Sequence, residues 1–310
     1  MNNPILSQYE YARQFWNYAK GNGETGEAIQ KGRTRDTGTY YLPTETEEKY
    51  EAAIEKESIF REVGSVFKSY DSDSKIFAAD SDDICRFVLE NGTISVVDLT
   101  DDFTKIPVQR NKLATLFRAS YPFINDSAFD FESYLVKRMA RAFGGAEDNA
   151  FINGNGEIEP IGILHDSKGA ETAATVSTIT YDDIVHLYFS VKPKYRKNAV
   201  WMMNDETAMV IRKLKDEAGN LLWNDTNGTI LGKRVVISEY MPNIGVGAKP
   251  IAFGDFGYYW IVKRSPVTVK TIFERFILND QIGFLGFEFI DGRLIRRDAV
   301  KVISIAEQTE

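Results

Sequence analysis

The sequence predicts a mixed α+β protein made of two packed units, an N-terminal arm and a projecting ribbon. Three observations carry this expectation. Residues 130–153 repeat Phe131, Leu135, Met139, Ala142, Ala146 and Ala150 at spacings of three and four, which marks one buried face of a long helix. Beyond Leu164 the texture changes to strands alternating with shorter helices, which marks a second unit. Upstream, residues 71–115 read as strands rich in aspartate, and a two-stranded ribbon of that kind has too little core to stand alone.

In chain order, residues 7–20 set Tyr11, Phe15 and Tyr18 on one helical face, widened by Ala12, Trp16 and Ala19, and Gly21 ends the helix. Residues 22–39 are polar, glycine-rich and aperiodic, as befits an arm. An aromatic helix on such a tether cannot bury its own stripe, so it needs a docking surface on this chain or on another copy. Thr44-Glu-Thr-Glu47 has the capping-box pattern and opens a helix through Tyr50 and Ile54 towards Phe60. Residues 63–70 are β-branched and aromatic and are predicted extended.

The ribbon shows strand runs at 75–78, 84–89 and 93–99, then 104–118 with Pro107 inside, and Asn91-Gly92 is a hairpin signal. The stretch DSDSKIFAADSDD lacks the glycine and the twelfth-position glutamate of an EF-hand, so its acids read as a solvated face. Asp126 or Asp130 is placed to cap the long helix, and Lys137 and Arg141 point away from its stripe. Gly144-Gly145 interrupts it at about 1 kcal/mol per glycine, which points to a bend or a close neighbour there.

Residues 147–164 read as a helix stop and turn. Asn153-Gly154 tolerates the left-handed conformation of a helix end, Asn155-Gly156 is a turn dipeptide, and Pro160 holds Glu159 extended. These glycines follow a helix and no Gly-Lys-Ser/Thr accompanies them, so they do not form a phosphate loop. In the second unit, Thr180-Tyr-Asp-Asp183 caps a helix through His186. Strands are expected at 199–203, 234–238, 251–253 and 258–262, with a helix over 205–217. Residues 267–276, 281–291 and 298–305 are again extended, with Asp291-Gly292 as a second hairpin turn.

Composition narrows the function. The 310 residues hold 37 Lys and Arg against 45 Asp and Glu, a net charge of −8, with no basic block at either end. That excludes a protein which neutralises nucleic acid by clustered cations. Cys85 is the only cysteine, so no disulfide within the chain and no cysteine-based zinc or iron–sulfur site is expected. No basic, apolar leader opens the chain and no run of 18 apolar residues exists, so a soluble, cytosolically made protein without a membrane segment is expected. The only histidines, His165 and His186, sit in no zinc or nucleophile motif, and His186 reads as a half-buried structural residue. No catalytic, cofactor-binding or metal-ligating residue is predicted. Four Asn-x-Ser/Thr patterns are inert without secretion.

The order of segments resembles a known family. DFESYLVKRMARAFGGAEDNAFINGNGEIEPIGIL (residues 130–164) is similar to the spine-helix region of tailed-bacteriophage major capsid proteins. WMMNDETAMVIRKLKDEAGNLLW, LGKRVVIS followed by Met241-Pro242, and FGDFGYY resemble the family's later segments, in the same order. The resemblance implies the Hong Kong 97-type capsid fold. Its expected divisions are an N-terminal arm (1–42), an extended loop (71–115), a discontinuous peripheral domain (43–70, 116–162 and 270–292, spine helix about 130–153) and an axial domain (163–269 and 293–310).

The implied role is a structural subunit, not an enzyme. It would self-assemble as hexamers and pentamers into an icosahedral head shell around double-stranded DNA, bound without sequence specificity. Scaffolding and portal proteins are expected partners, with assembly in the host cytoplasm and residence in the virion. Expected inter-subunit contacts are Tyr11, Phe15 and Trp16 of the arm helix and Lys75, Asp82, Asp83, Glu90, Asp98, Asp101, Asp102 and Lys105 of the loop. Two departures from the family pattern stand out. Met1 opens almost directly onto the arm, so scaffolding is expected as a separate protein or as a segment already removed. Residues 79–102 hold no lysine, so covalent cross-linking through the loop tip is not expected. An encapsulin-like compartment of the same fold and a soluble enzyme remain the alternatives.

Overall fold

A computed structural model describes residues 6–23, 26–34, 38–69, 75–79, 103–215, 219–224 and 227–307, with the backbone alone at 75–79, 103–105 and 224. Its first sheet is organised on one 14-residue strand, Gln281–Leu294. Thr268–Ile272 and Tyr259–Lys263 flank one edge of this strand, both antiparallel to it, and Asn111–Ser120 pairs along the other edge from Gln281 to Ile290. Tyr40–Tyr41 and Ser65–Lys68 complete the six strands. Asp291-Gly292 is therefore not a hairpin turn. Both residues are paired, to Val262 and Ile261. Gly292 is needed there because a Cβ would stand 2.8–2.9 Å from the Tyr259 hydroxyl and the Phe151 ring.

Side chains alternate along a strand, so Phe284, Gly286, Glu288 and Gly292 share one face. That face is covered by helices: Phe284 meets Phe131, Gly286 lies under Met139, and Glu288 meets Tyr50. The covering layer comprises Tyr9–Ala19, Thr44–Glu57 and the long helix Phe131–Asn153. Asp130 caps the long helix, its side chain accepting from the Ser133 amide at 3.1 Å.

The buried stripe of this helix departs from the alanine pattern. Ala142 and Ala146 are exposed and Ala150 is half-buried. The stripe runs instead through Phe131, Leu135, Met139, Phe143, Glu147, Asp148 and Phe151. Two carboxylates in it hid the true period. Gly144-Gly145 makes no break: the Gly144 position faces Glu57 and Ser58 within 3.1–3.4 Å of where a Cβ would be, so close helix approach explains it.

Several helix ends also differ from expectation. Pro43, not Thr44, occupies the N-cap of Thr44–Glu57, and no side chain caps it. That helix stops at Ser58, and a short helix Ile59–Val63 follows. Gly154 is extended (φ −58°, ψ 141°), and the left-handed residue is Gly156 (φ +73°). A side chain at Gly154 would strike the carbonyl oxygens of Pro160 and Ala150. The chain turns back here and caps its own helix, Ile163 and Leu164 donating to the Phe151 and Ile152 carbonyls at 2.8 and 3.0 Å.

The second sheet orders seven strands as Glu171–Val176, Val300–Ile305, Ile251–Gly254, Val200–Met203, Lys233–Ile237, Thr229–Ile230 and Trp223–Asn224. Trp201 stacks on Phe253 at 4.1 Å in its core. The Tyr181–Ser190 helix carries the expected Thr180/Asp183 capping box. The helix at Asp205–Ile211 is shorter than its pattern. Phe60, Phe151, Tyr259 and Val300 belong to a third cluster that joins the long helix's end to strands of both sheets. Tyr259–Lys263 follows a strand of the second sheet in sequence yet pairs into the first.

The arm helix finds its docking surface on its own chain. Phe15, Trp16 and Ala19 pack against Leu42, Leu135, Val136, Met139, Val269 and Phe284. The Tyr11 hydroxyl donates to the Tyr41 carbonyl at 2.6 Å, and Lys20 pairs with Glu132 at 2.8 Å. Tyr11, Phe15 and Trp16 are thus buried in the core of their own chain. Phe15→Ala and Trp16→Ala are each expected to lower stability by about 3–5 kcal/mol, the usual cost of truncating a buried aromatic, read as a fall in the urea midpoint. Unchanged unfolding would contradict this placement.

Candidate functional site

The element that stands apart from both sheets is the ribbon. Lys75–Ala79 pairs antiparallel with Phe103–Pro107, from Lys75 opposite Pro107 to Ala79 opposite Phe103, as a separate two-stranded sheet. Lys75 and Lys105 lie on these strands. Asp82, Asp83, Glu90, Asp98, Asp101 and Asp102 lie outside the described residues.

The ribbon's root is fastened by one carboxylate. Asp291 is buried and accepts from the Gln109 amide at 2.7 Å, the Gly292 amide at 2.9 Å and the Asn111 side chain at 3.3 Å. Burial raises its pKa in spite of the Gln109 amide and the Arg293 charge. The chain rejoins the sheet at Asn111, so residues 111–115 are part of the long paired strand.

Behind the sheet, five elements meet in a buried charged cluster. Arg61 donates from Nε and Nη2 to the two oxygens of Glu147, each at 2.7 Å. Glu288, from the long strand, lies 3.8 Å from the same guanidinium and accepts from the Tyr50 hydroxyl at 3.2 Å. Glu51 contacts Lys263 and stands 3.5 Å from Arg61. One residue further along the long helix, Asp148 accepts from the Ser58 hydroxyl and from the amides of Ile59 and Phe60 at 2.7–3.1 Å. It thereby caps the short helix that carries Arg61.

Burial, followed by the neighbouring Glu147 charge, pushes the Glu288 carboxyl well above the ordinary range. Its Oε1 accepts no hydrogen bond. A proton on Glu288, shared towards Glu147, satisfies that oxygen and removes the clash of two buried carboxylates beside one guanidinium. Glu51 moves the other way: burial opposes its charge, but Lys263, by charge and hydrogen bond, outweighs burial and holds the carboxyl low. The sequence reading missed this cluster because its members are spread over five elements distant in sequence. The polar letters Glu147 and Asp148 inside an apolar stripe were the available signal.

Large apolar side chains stand in solvent at several separate places, among them Leu278 (97% exposed) beside Ile277, Tyr9 and Ile158. Among the described residues no group of three or more His, Cys, Asp or Glu is placed to hold a metal ion, and no helix is long and apolar enough to cross a membrane. His186 is exposed, not half-buried. His165 Nδ1 accepts from the Ser167 and Lys168 amides at 3.2 Å.

The cluster sets a pH dependence. Unfolded, Glu288 ionises near 4.5; folded, it keeps its proton well above that. Its contribution to stability is complete below the unfolded value and is lost as pH rises through the folded one. Glu288→Gln keeps a donor towards Glu147 and an acceptor for Tyr50. It is expected to fold and to lose less stability than wild type between pH 5 and pH 9 in urea titrations; an unchanged pH slope contradicts the protonated carboxyl. Glu147→Gln strips Arg61 of its counter-charge and is expected to cost about 3–5 kcal/mol.

Known proteins share this architecture. Residues 38–305 match the phage capsid family. The capsid polyprotein of Pseudomonas phage PAJU2 is 24% identical over 231 residues, 66% of this chain but 35% of that protein, so the chain spans about a third of this relative's length. The capsid of an empty GTA particle superposes with a TM-score of 0.67 at 29% identity, over 80% of this chain and 89% of that one. A satellite phage P4 procapsid, solved with its size determination protein, superposes at 0.59 with 12% identity, over 84% and 99%, a likeness of fold alone. The fold is the Hong Kong 97 type, and the chain belongs to the phage capsid family.

Proposed function

We propose that this chain is the subunit of an icosahedral head shell enclosing phage double-stranded DNA. The observation that carries the reading, beside family membership, is the ribbon: it pairs with itself, joins neither sheet, and has a firmly built root at Asp291. A projecting ribbon without a core of its own finds its partner on a neighbouring subunit, and head-to-tail contacts of that kind close into rings and shells. The exposed Ile277 and Leu278 offer further contact area.

In this reading the first sheet and its covering helices form the peripheral domain. It takes in 111–115 and 259–269 with their paired strands, where the sequence divisions gave 111–115 to the loop and 259–269 to the axial domain. The second sheet forms the axial domain, residues 1–42 the arm and 71–110 the loop. Hexamers and pentamers build the shell, scaffolding and portal proteins assist, and assembly takes place in the host cytoplasm. The net charge of −8 suits a container that does not grip its DNA by sequence. The role is structural and not enzymatic. An encapsulin-like compartment is less favoured, because the similar structures are phage and GTA capsids.

Replacing residues 71–107 by a short Gly/Ser linker keeps Gln109 and Asn111 on Asp291. The variant is expected to retain the wild-type circular dichroism spectrum and to form no particles in sedimentation. Normal particles from it would contradict the proposal.

A further inference from the structure

Charge on this chain is unevenly spread. Residues 192–197, Lys-Pro-Lys-Tyr-Arg-Lys, hold four cations and no acid, the densest positive run in a sequence of net charge −8. The run lies on the second unit, as the short helix Pro193–Arg196 and its flanks, directly after the helix Tyr181–Ser190. Pro193 suits the first turn of a helix, and Tyr195 fastens the segment by burial among the apolar side chains of that unit. The cations on either side of Tyr195 are left outside: Lys192, Lys194 and Lys197 are exposed and Arg196 is half-buried.

Acids answer little of this charge. Lys192 is committed to Asp298 at 2.6 Å, and the Lys194 ammonium lies 5.0 Å from the centre of the Tyr195 ring. Among the described residues, Arg196 and Lys197 have no carboxylate within ion-pair distance. Lys233 joins them from the adjacent strand, its ammonium donating to the Lys197 carbonyl at 3.0 Å, and it too has no acid partner among the described residues. The Arg196 guanidinium stands against two rings, 5.3 Å from the centre of Tyr188 and 5.2 Å from that of Phe189, and its Nε makes no hydrogen bond. The face thus combines one guanidinium fixed by aromatic contact with three ammonium groups around it.

We propose that Lys194, Arg196, Lys197 and Lys233 form a contact for the phosphate backbone of duplex DNA. The inference rests on the shell reading and turns this face of the second unit towards the enclosed DNA.

The chemistry favours phosphate over an acidic protein partner. The cores of protein–protein contacts are depleted of charge, whereas nucleic-acid contacts are polar and strongly positive. Here cations occupy the centre, and Phe189 (65% exposed) is the one large apolar side chain of residues 181–197 that stands in solvent. A guanidinium held against rings presents the planar fork that meets phosphate, and lysines add mobile point charge. Cations that served only solubility would be interspersed with acids. Contacts to phosphate position DNA without reading its sequence. Four cations fall far short of neutralising packed DNA, so a local grip is compatible with a chain that is acidic as a whole.

Titration of the full chain with a labelled duplex of about 20 base pairs, read by fluorescence anisotropy between about 50 and 200 mM salt, tests the inference. Lys194→Gln, Lys197→Gln and Lys233→Gln together should weaken binding by about tenfold or more at the lower salt, with the thermal midpoint unchanged. The slope of log affinity against log salt should shrink by about 2.7, from three contacts at about 0.9 each. If Lys233→Gln disturbs its strand, Lys194→Gln with Lys197→Gln should still shrink the slope by about 1.8. Lys112→Gln, Arg118→Gln and Lys270→Gln change the net charge equally on the first sheet and should bind like wild type. Equal loss from both triple variants overturns the inference, because net charge alone would then explain binding, and so does a wild-type chain that binds no duplex. Loss of particles by the Lys194/Lys197/Lys233 variant at an unchanged thermal midpoint assigns the face to a protein partner and also overturns it. Wild-type chain that forms no particles with the other head proteins contradicts the shell reading instead, and duplex binding lost with this variant then still supports the contact.

Discussion

The Arg61–Glu147 pair is the constraint on which the first unit depends. Two 2.7 Å charge-assisted bonds hold a buried guanidinium from a short helix against the long helix. Glu288 brings the central strand to the same point. Tyr50 and Glu51 bring in the Thr44–Glu57 helix, and Lys263 a second strand. An isolated buried charge is very costly, and a paired one is tolerated only when its geometry is fully satisfied. The cluster therefore specifies how helices and sheet sit together, where an apolar contact would tolerate sliding.

That registry matters for a subunit whose working parts are at its periphery. The long strand Gln281–Leu294 bears Glu288 on the helix side and, three residues on, Asp291, which anchors the ribbon's root. A shift of the strand against the helices would break the charged cluster and re-aim the ribbon together. The aim of a projecting arm is thus tied to the packing of a buried core. Many modest contacts between subunits add up to a shell only if each subunit presents them at fixed angles.

Much of the fold was legible in the sequence, because period and turn chemistry are local. The long helix, the Thr180 capping box and most strands of the second sheet lie where their patterns place them. What escaped depends on neighbours distant in sequence. Gly292 looked like a turn residue but is a close-approach residue under Phe151 and Tyr259. Ala142 and Ala146 imitated a buried stripe, while Glu147 and Asp148, the true interior, looked solvated. The arm's aromatics announced that they needed a surface without saying whose, and the chain supplies it with Leu135, Val136 and Met139. The charged cluster gave no local pattern at all, since its members are spread from Tyr50 to Glu288.

The most direct test is a cryo-electron microscopy reconstruction of particles assembled from this chain. The expected density places the Tyr9–Ala19 helix on its own subunit and residues 75–107 across the adjacent one. A ribbon folded back on its own subunit, or a chain that stays monomeric with all head proteins present, contradicts it.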